Sequence, residues 1–109
     1  GAQLPLERTP YAENLYWVFG LVLNDEVPFE EQECERRLQA LGVGTRPFFW
    51  PMHEQPVFLE QGLFKGERYP VAERIARRGL YVPTGLALTN EAMRYVSEQV
   101  HAVLGTMER

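Results

Sequence analysis

The sequence is poor in the groups that enzymes use as nucleophiles. Its 109 residues hold one cysteine (Cys34), one serine (Ser97) and one lysine (Lys65). A single cysteine closes no internal disulfide and builds no four-thiolate zinc site. Ser97 falls inside an amphipathic stretch with no base nearby in sequence, which argues against a Ser/His/Asp triad. Cys34 sits on the apolar stripe of an acidic segment, where a thiolate is disfavoured, and reads as a core residue. Lys65 is followed by Gly66 and Glu67 in a turn, so it is solvated. A Schiff-base lysine needs a desolvated or cationic pocket. His53 and His101 are the only histidines, and neither H-x-x-x-H nor H-E-x-x-H spacing occurs. No G-x-G-x-x-G or P-loop pattern is present.

Positive charge is also scarce. Eleven Lys and Arg face fifteen Asp and Glu, a net charge of -4. Arg74, Arg77 and Arg78 cluster locally, but no basic patch dominates, so a nucleic-acid partner is not expected. The longest apolar run, Leu15 to Leu23, is far short of the ~20 residues that span a bilayer. With no visible signal peptide and one cysteine, a reducing, cytoplasmic setting is expected, without membrane contact. The chain opens on Gly1 rather than Met, which suggests a processed tag or a piece of a longer protein.

What is present suits one domain. The apolar fraction of 45% and charged fraction of 24% are ordinary for a soluble globular chain. At this size roughly 65% of the unfolded surface can be buried, enough for one core. Residues 1–14 are polar, carry Pro5 and Pro10, and read as an extended lead-in or linker; residues 15–109 form the domain. Tyr16 to Leu23 is aromatic and β-branched on both faces, the pattern of a central strand. Pro28 opens a helix to about Leu41, with Glu30, Glu31 and Glu33 near its positive end. Cys34, Leu38 and Leu41 form its inward stripe, and Gly42 is a natural stop. Val43 to Phe49 is a second strand, and one short helical turn fits within Val57 to Phe64. Pro70 opens a second helix to Arg78, with Val71, Ala72, Ile75 and Ala76 inward and Gly79 ending it. Leu80 to Val82 is a third strand. Thr89 is a good N-cap for a last helix whose stripe is Ala92, Val96, Val100 and Val103. The sum is an α+β domain: a small, mainly antiparallel sheet of about three strands with three helices packed on it.

The unusual segment is Thr45-Arg-Pro-Phe-Phe-Trp-Pro-Met-His-Glu-Gln-Pro56. Three prolines bracket three aromatics, one Arg and one His. Arg46 precedes Pro47 and so prefers extended backbone; its planar fork suits a phosphate or carboxylate, although an exposed Arg is often merely solvated. His53 is either a loop residue bonded to nearby backbone or a substrate contact, since binding groups concentrate on loops held by rigid elements. Alternation places Phe48 and Trp50 on one side and Phe49 on the other, so at least one large ring is exposed unless another body covers it. A hydrolase using His53 and Glu54 is remote, because neighbours on extended chain point apart.

Four segments in order carry a resemblance: ENLYWVFGLVL, GVGTRPFFWPMHEQP, YPVAERIARRGLYVPTGLALT and the closing amphipathic helix. Over residues 11–104 they resemble the C-terminal small domain of DegT-type sugar aminotransferases, in the perosamine-synthase-like branch. The resemblance implies the C-terminal domain of the aspartate-aminotransferase fold, in an enzyme that uses PLP. Such enzymes move an amino group, usually from glutamate, to a keto group of a nucleotide-linked sugar. It implies a homodimer with shared active sites and an N-terminal large domain that binds PLP and carries the aldimine lysine. That domain is missing here and Lys65 does not replace its lysine, so the chain is expected to hold no cofactor and to be inactive alone. His53 and Arg46 match the histidine and arginine of the loop at the sugar end of the cleft and are the expected substrate-binding residues. A large-domain partner further implies an apolar flank, with Leu4, Leu6, Tyr11, Leu15, Phe49 and Trp50 as candidates. The alternative is a free-standing α+β binding module without catalysis, which covers such groups.

Overall fold

The computed structural model describes residues 1–105. Its strands are β1 (Ala2–Gln3), β2 (Arg8–Thr9), β3 (Ala12–Glu13), β4 (Phe19–Leu23), β5 (Arg46–Pro47) and β6 (Gly79–Val82). Its helices are α1 (Glu31–Ala40), α2 (Pro56–Glu60), α3 (Pro70–Arg78) and α4 (Asn90–Leu104), with a 3-10 turn at Met52–Glu54. The main sheet has four strands in the order β1-β4-β6-β5, and every neighbouring pair is antiparallel. β2 and β3 form a separate hairpin.

Register decides which side chains form the core. Leu21 lies opposite Leu80, Phe19 opposite Val82, and Ala2 opposite Leu23. Successive residues point to opposite faces, so Leu21, Leu23, Leu80 and Val82 share one face, and all four are buried. Leu23 and Leu80 pack with Val27, Val43, Leu104 and the inward residues of α1, Cys34 and Leu38. Val96, Val100 and Val103 of α4 close over this cluster half-buried. Burying a leucine contributes about 1.5–3 kcal/mol, so Leu23, Leu38 and Leu80 outweigh any surface ion pair here.

The helix ends follow their sequence signals. Gly42 has φ +83 and closes α1: its N–H donates to the Gln39 carbonyl and the Val43 N–H to that of Leu38. That pair of bonds is a Schellman motif, which needs left-handed backbone that glycine adopts freely. Thr89 caps α4, its Oγ accepting from the Ala92 N–H at 3.1 Å. Pro70 is the first residue of α3.

Several expectations are corrected. The small antiparallel sheet expected with about three strands has a fourth, where Ala2–Gln3 of the extended lead-in pairs with Val22 and Leu23. The last four positions of the expected 15–109 unit lie outside the described residues. The first long strand begins at Phe19, not Tyr16, because Tyr16 turns into left-handed backbone (φ 53). Only Arg46–Pro47 of Val43 to Phe49 is laddered. Pro47 has no N–H to donate, which suits the edge position of β5. α1 begins at Glu31 rather than Pro28, and Leu41 lies half-exposed beyond its end. The inward face of α3 is Glu73 and Ala76; Val71 and Ala72 are exposed.

Candidate functional site

The proline loop leaves β5 across the sheet face that carries Gly20 and Gly79. The Phe48 ring lies on them. A Cβ on Gly20 would come within 2.4 Å of Phe48 Cε2, and one on Gly79 within 2.3 Å of the Ile75 carbonyl oxygen. With Phe48 seated inward, the next two rings turn outward. Phe49 stacks on Trp17 at 5.9 Å and tilts against Tyr81 at 6.0 Å. Trp50 lies under the Arg77 guanidinium at 5.0 Å. Strict alternation would have kept Trp50 with Phe48; the chain departs from it because β5 ends at Pro47.

Pro51 then starts the 3-10 turn, whose backbone closes through Glu54 N–H to the Pro51 carbonyl at 3.0 Å. The turn inserts His53 into the domain, where it is only 7% exposed. Its Nε2 lies 2.8 Å from Glu73 Oε2, and the Tyr69 ring meets it edge-on at 4.9 Å. Glu73 collects further donors: the Tyr69 N–H at 2.9 Å and Arg68 at 2.6 and 3.2 Å. The backbone N–H of Tyr69, with the imidazole and the Arg68 fork, holds the Glu73 carboxyl at about 2, well below the usual carboxylate range. An ionised carboxylate only accepts, so His53 donates through Nε2–H. Beside this pair, Arg77 grips both oxygens of Glu54 at 2.5 and 3.1 Å and lowers its pKa. Two carboxylates thus face two guanidiniums with the imidazole between them.

His53, Glu54 and Glu73 offer donor atoms within 4.8 Å of one another. The arginines already balance their charge, so a metal ion would have to displace Arg68 and Arg77. His53 and Glu54 do approach, at 3.6 Å, because the backbone is a 3-10 turn rather than extended chain. Both oxygens of Glu54 are bound by Arg77, so the pair is not a free dyad.

The two expected site residues therefore part company. Arg46 is exposed on β5, directly opposite Tyr81, and makes no ion pair among the described residues. His53 is buried and hydrogen-bonded, though to a side chain twenty residues away rather than to nearby backbone. The residue that sequence reasoning missed is Glu73. Its signal was a carboxylate in the first turn of a proline-started helix, placed to reach back to the N-cap N–H.

The surface carries two concavities, of which one reaches the loop. One, of about 290 Å³, is lined by His53, Glu54, Phe64, Arg68 and Arg77. The other, of about 560 Å³, is an apolar groove between sheet and α4, lined by Leu4, Phe19, Leu21, Val82, Met93 and Val96. All six residues expected on an apolar flank (Leu4, Leu6, Tyr11, Leu15, Phe49 and Trp50) are exposed, and Trp17 and Leu86 join them. Among the described residues, no helix is long and apolar enough to cross a membrane.

Comparison with known proteins decides the ancestry. Residues 2–101 match the DegT/DnrJ/EryC1/StrS aminotransferase family. The chain belongs to that family. It is 29% identical over 86 residues, 79% of its length, to a GDP-perosamine synthase of Escherichia coli O157:H7. It is 22% identical over 81 residues, 74% of its length, to a GDP-perosamine synthase of Vibrio cholerae. The matched part spans 22% of each relative. The aminotransferase TlmJ from Streptoalloteichus hindustanus has the same fold across the whole chain, with TM-score 0.77 at 24% identity, over 28% of its own length.

Family enzymes generally use PLP, and the residues of this chain do not fit that cofactor. Covalent PLP needs a lysine in a desolvated or cationic pocket. Lys65, the one lysine, is exposed on the turn at 61–66.

Proposed function

We propose that this chain is the C-terminal small domain of a PLP-dependent aminotransferase that transfers an amino group, with glutamate as donor, to a keto group of a nucleotide-linked sugar. Its partner is a large domain that holds the cofactor, in a homodimeric cytoplasmic enzyme, and the chain alone is inactive. The observation that carries this reading is the set of large apolar side chains left exposed in a member of an aminotransferase family. A self-contained binding module covers such groups, because exposed apolar surface beyond a few hundred Å² marks an interface. The span of 22% of each relative agrees with a missing partner domain.

Within this reading Arg46 meets the charged part of the substrate, and His53 acts as the anchor of the loop. The buried His53–Glu73 bond fixes the Pro51–Gln55 turn on α3, so the aromatic residues before it are ordered before substrate arrives. Less conformational entropy is then lost on binding.

The test has two arms. The chain alone, incubated with PLP and reduced with borohydride, gives no pyridoxyl-lysine and turns over no nucleotide-linked keto sugar. Joined to a PLP-binding large domain of the family, it supports turnover, and Arg46→Ala then raises KM about tenfold with little change in kcat. A stable pyridoxyl adduct at Lys65, or turnover by the chain alone, overturns the reading.

A further inference from the structure

The segment after the proline loop leaves the body of the domain and returns to it at one carboxylate. At its first end His53 Nε2–H donates to Glu73 Oε2 at 2.8 Å, and Arg77 holds Glu54. At its second end Arg68 reaches Glu73 Oε1 at 2.6 Å, and the Tyr69 N–H donates to Oε2 at 2.9 Å. A surface segment whose ends meet in this way is an Ω-loop. Its backbone is satisfied from within. The Phe58 and Leu59 N–H groups donate to the Gln55 carbonyl, that of Leu63 to Phe58, and that of Glu67 to Phe64. The Phe58 and Phe64 rings meet edge-on at 5.8 Å, a small apolar contact of its own. The segment adds little to the core. Between Met52 and Ala72 the one buried side chain is His53, while Val57, Leu59 and Leu63 are exposed. The cavity of about 290 Å³ is lined jointly by Leu59, Phe64 and Arg68 of the segment and by Glu73 and Arg77 of α3.

We propose that residues 54–68 form a lid that opens and closes as one unit on a folded domain, with Glu73 as its latch. Opening the lid breaks polar ties and uncovers little apolar surface. Unfolding the domain uncovers Leu23, Leu38 and Leu80, so it needs far more free energy. Local openings are drawn from segments with few buried apolar contacts. The Arg68 tie is weak, because its side chain is 78% exposed and screened by solvent and salt. Phe64 has φ 61, a left-handed backbone that costs free energy in a bulky residue and relaxes when the lid opens. His53 hangs on the same latch, so the closed lid is also the state in which the proline loop is tied down. Nothing in this device depends on the chain's being part of an aminotransferase.

Lysyl endopeptidase reads the lid directly, because Lys65 is the one lysine of the chain and lies inside it. When opening is fast relative to cleavage, the rate follows the population of the open form. The 109-residue chain should be cut once, after Lys65, at a rate nearly flat in urea below the unfolding transition, since opening exposes little surface. Leu38→Val weakens the core and speeds global unfolding about tenfold, and should leave the cleavage rate within about twofold of the parent. Glu73→Gln should raise that rate about tenfold. Arg68→Ala changes an exposed side chain, guards against a folding defect in Glu73→Gln, and should raise the rate about threefold. Cleavage that climbs with urea along the unfolding curve, or that Leu38→Val speeds about tenfold, would show that the segment opens only with the whole domain and overturn the proposal. A rate indifferent to both Glu73→Gln and Arg68→Ala would overturn it too, by removing the latch.

Discussion

The imidazole of His53 and the carboxylate of Glu73, twenty residues apart, meet at 2.8 Å inside the domain. This bond converts a proline-rich loop into a fixed platform. Pro47, Pro51 and Pro56 restrict the loop's backbone, and His53 ties its far end to α3. Arg77 adds a second tie through Glu54 and covers Trp50. The rings of Phe49 and Trp50 are therefore held outward by a charge-balanced cluster behind them.

The depressed Glu73 pKa makes this tie acid-sensitive. Its folded value is about 2 against an ordinary 4.5, so protonation favours the unfolded chain. The stabilisation is complete above pH 4.5 and is lost as pH falls through about 2. Glu33, held at about 2 chiefly by Arg36 and Arg37, titrates in the same window. Glu73→Gln separates the two. Urea unfolding at a series of pH values should find the variant less stable at neutral pH, with the gap to the parent closing between pH 4.5 and about 2. A gap that stays constant down to pH 2 would show that the Glu73 charge contributes nothing.

How much was legible depended on whether the signal was local. Pro70, Thr89 and Gly42 mark their helix ends through backbone chemistry confined to a few residues, and each does so in the fold. The strand ending at Leu23 followed from its aromatic and β-branched run, although a run apolar on both faces did not say that Leu21 and Leu23 would carry the core. Strand lengths did not, because Tyr16 and Pro47 break the ladder for reasons that hydrophobicity does not encode. β1 was invisible: two residues of a polar, proline-bearing segment form a strand only because an edge of β4 is free to pair. At the site, Arg46 could be placed from its Pro47 neighbour, and exposed rings were foreseen from the loop's composition. The burial of His53 could not be, since its partner Glu73 lies on another helix, twenty residues away. Hydrophobic periodicity put Val71 inward; the carboxylate won the position because four donors converge there.

The seat of Phe48 is a second place where one atom decides the outcome. Gly20→Ala puts a methyl 2.4 Å from the Phe48 ring and should cost about 1–3 kcal/mol, the usual range for overpacking. In a domain of this size each kcal/mol lowers the melting midpoint by roughly 4–8 °C. Phe48→Leu shortens the obstructing side chain and should recover most of the loss in the double variant. Gly79→Ala meets the Ile75 carbonyl oxygen at 2.3 Å, which is backbone, so Phe48→Leu should not rescue it. Thermal unfolding of the five proteins checks this. Equal rescue at both glycines would mean that the ring, not the backbone, limits both sites.

Cys34 tests the exclusion of a thiol nucleophile. It is 1% exposed at the heart of the core, packed with Leu38 and Leu23. Burial pushes its thiol up to about 11; Glu35 and Glu31 add to the rise, and Arg37 opposes it. At pH 8 about one molecule in a thousand would carry thiolate even if reagent could reach it. Reaction with Ellman's reagent in native buffer should therefore be slow and governed by opening of the core, with a rate that climbs as urea is added. In denaturing urea one equivalent of thiol should appear at once. Stoichiometric labelling of the native chain within seconds would mean that α1 opens readily over the sheet, or that the thiol is ionised where it lies. Either result would return Cys34 to the candidate nucleophiles.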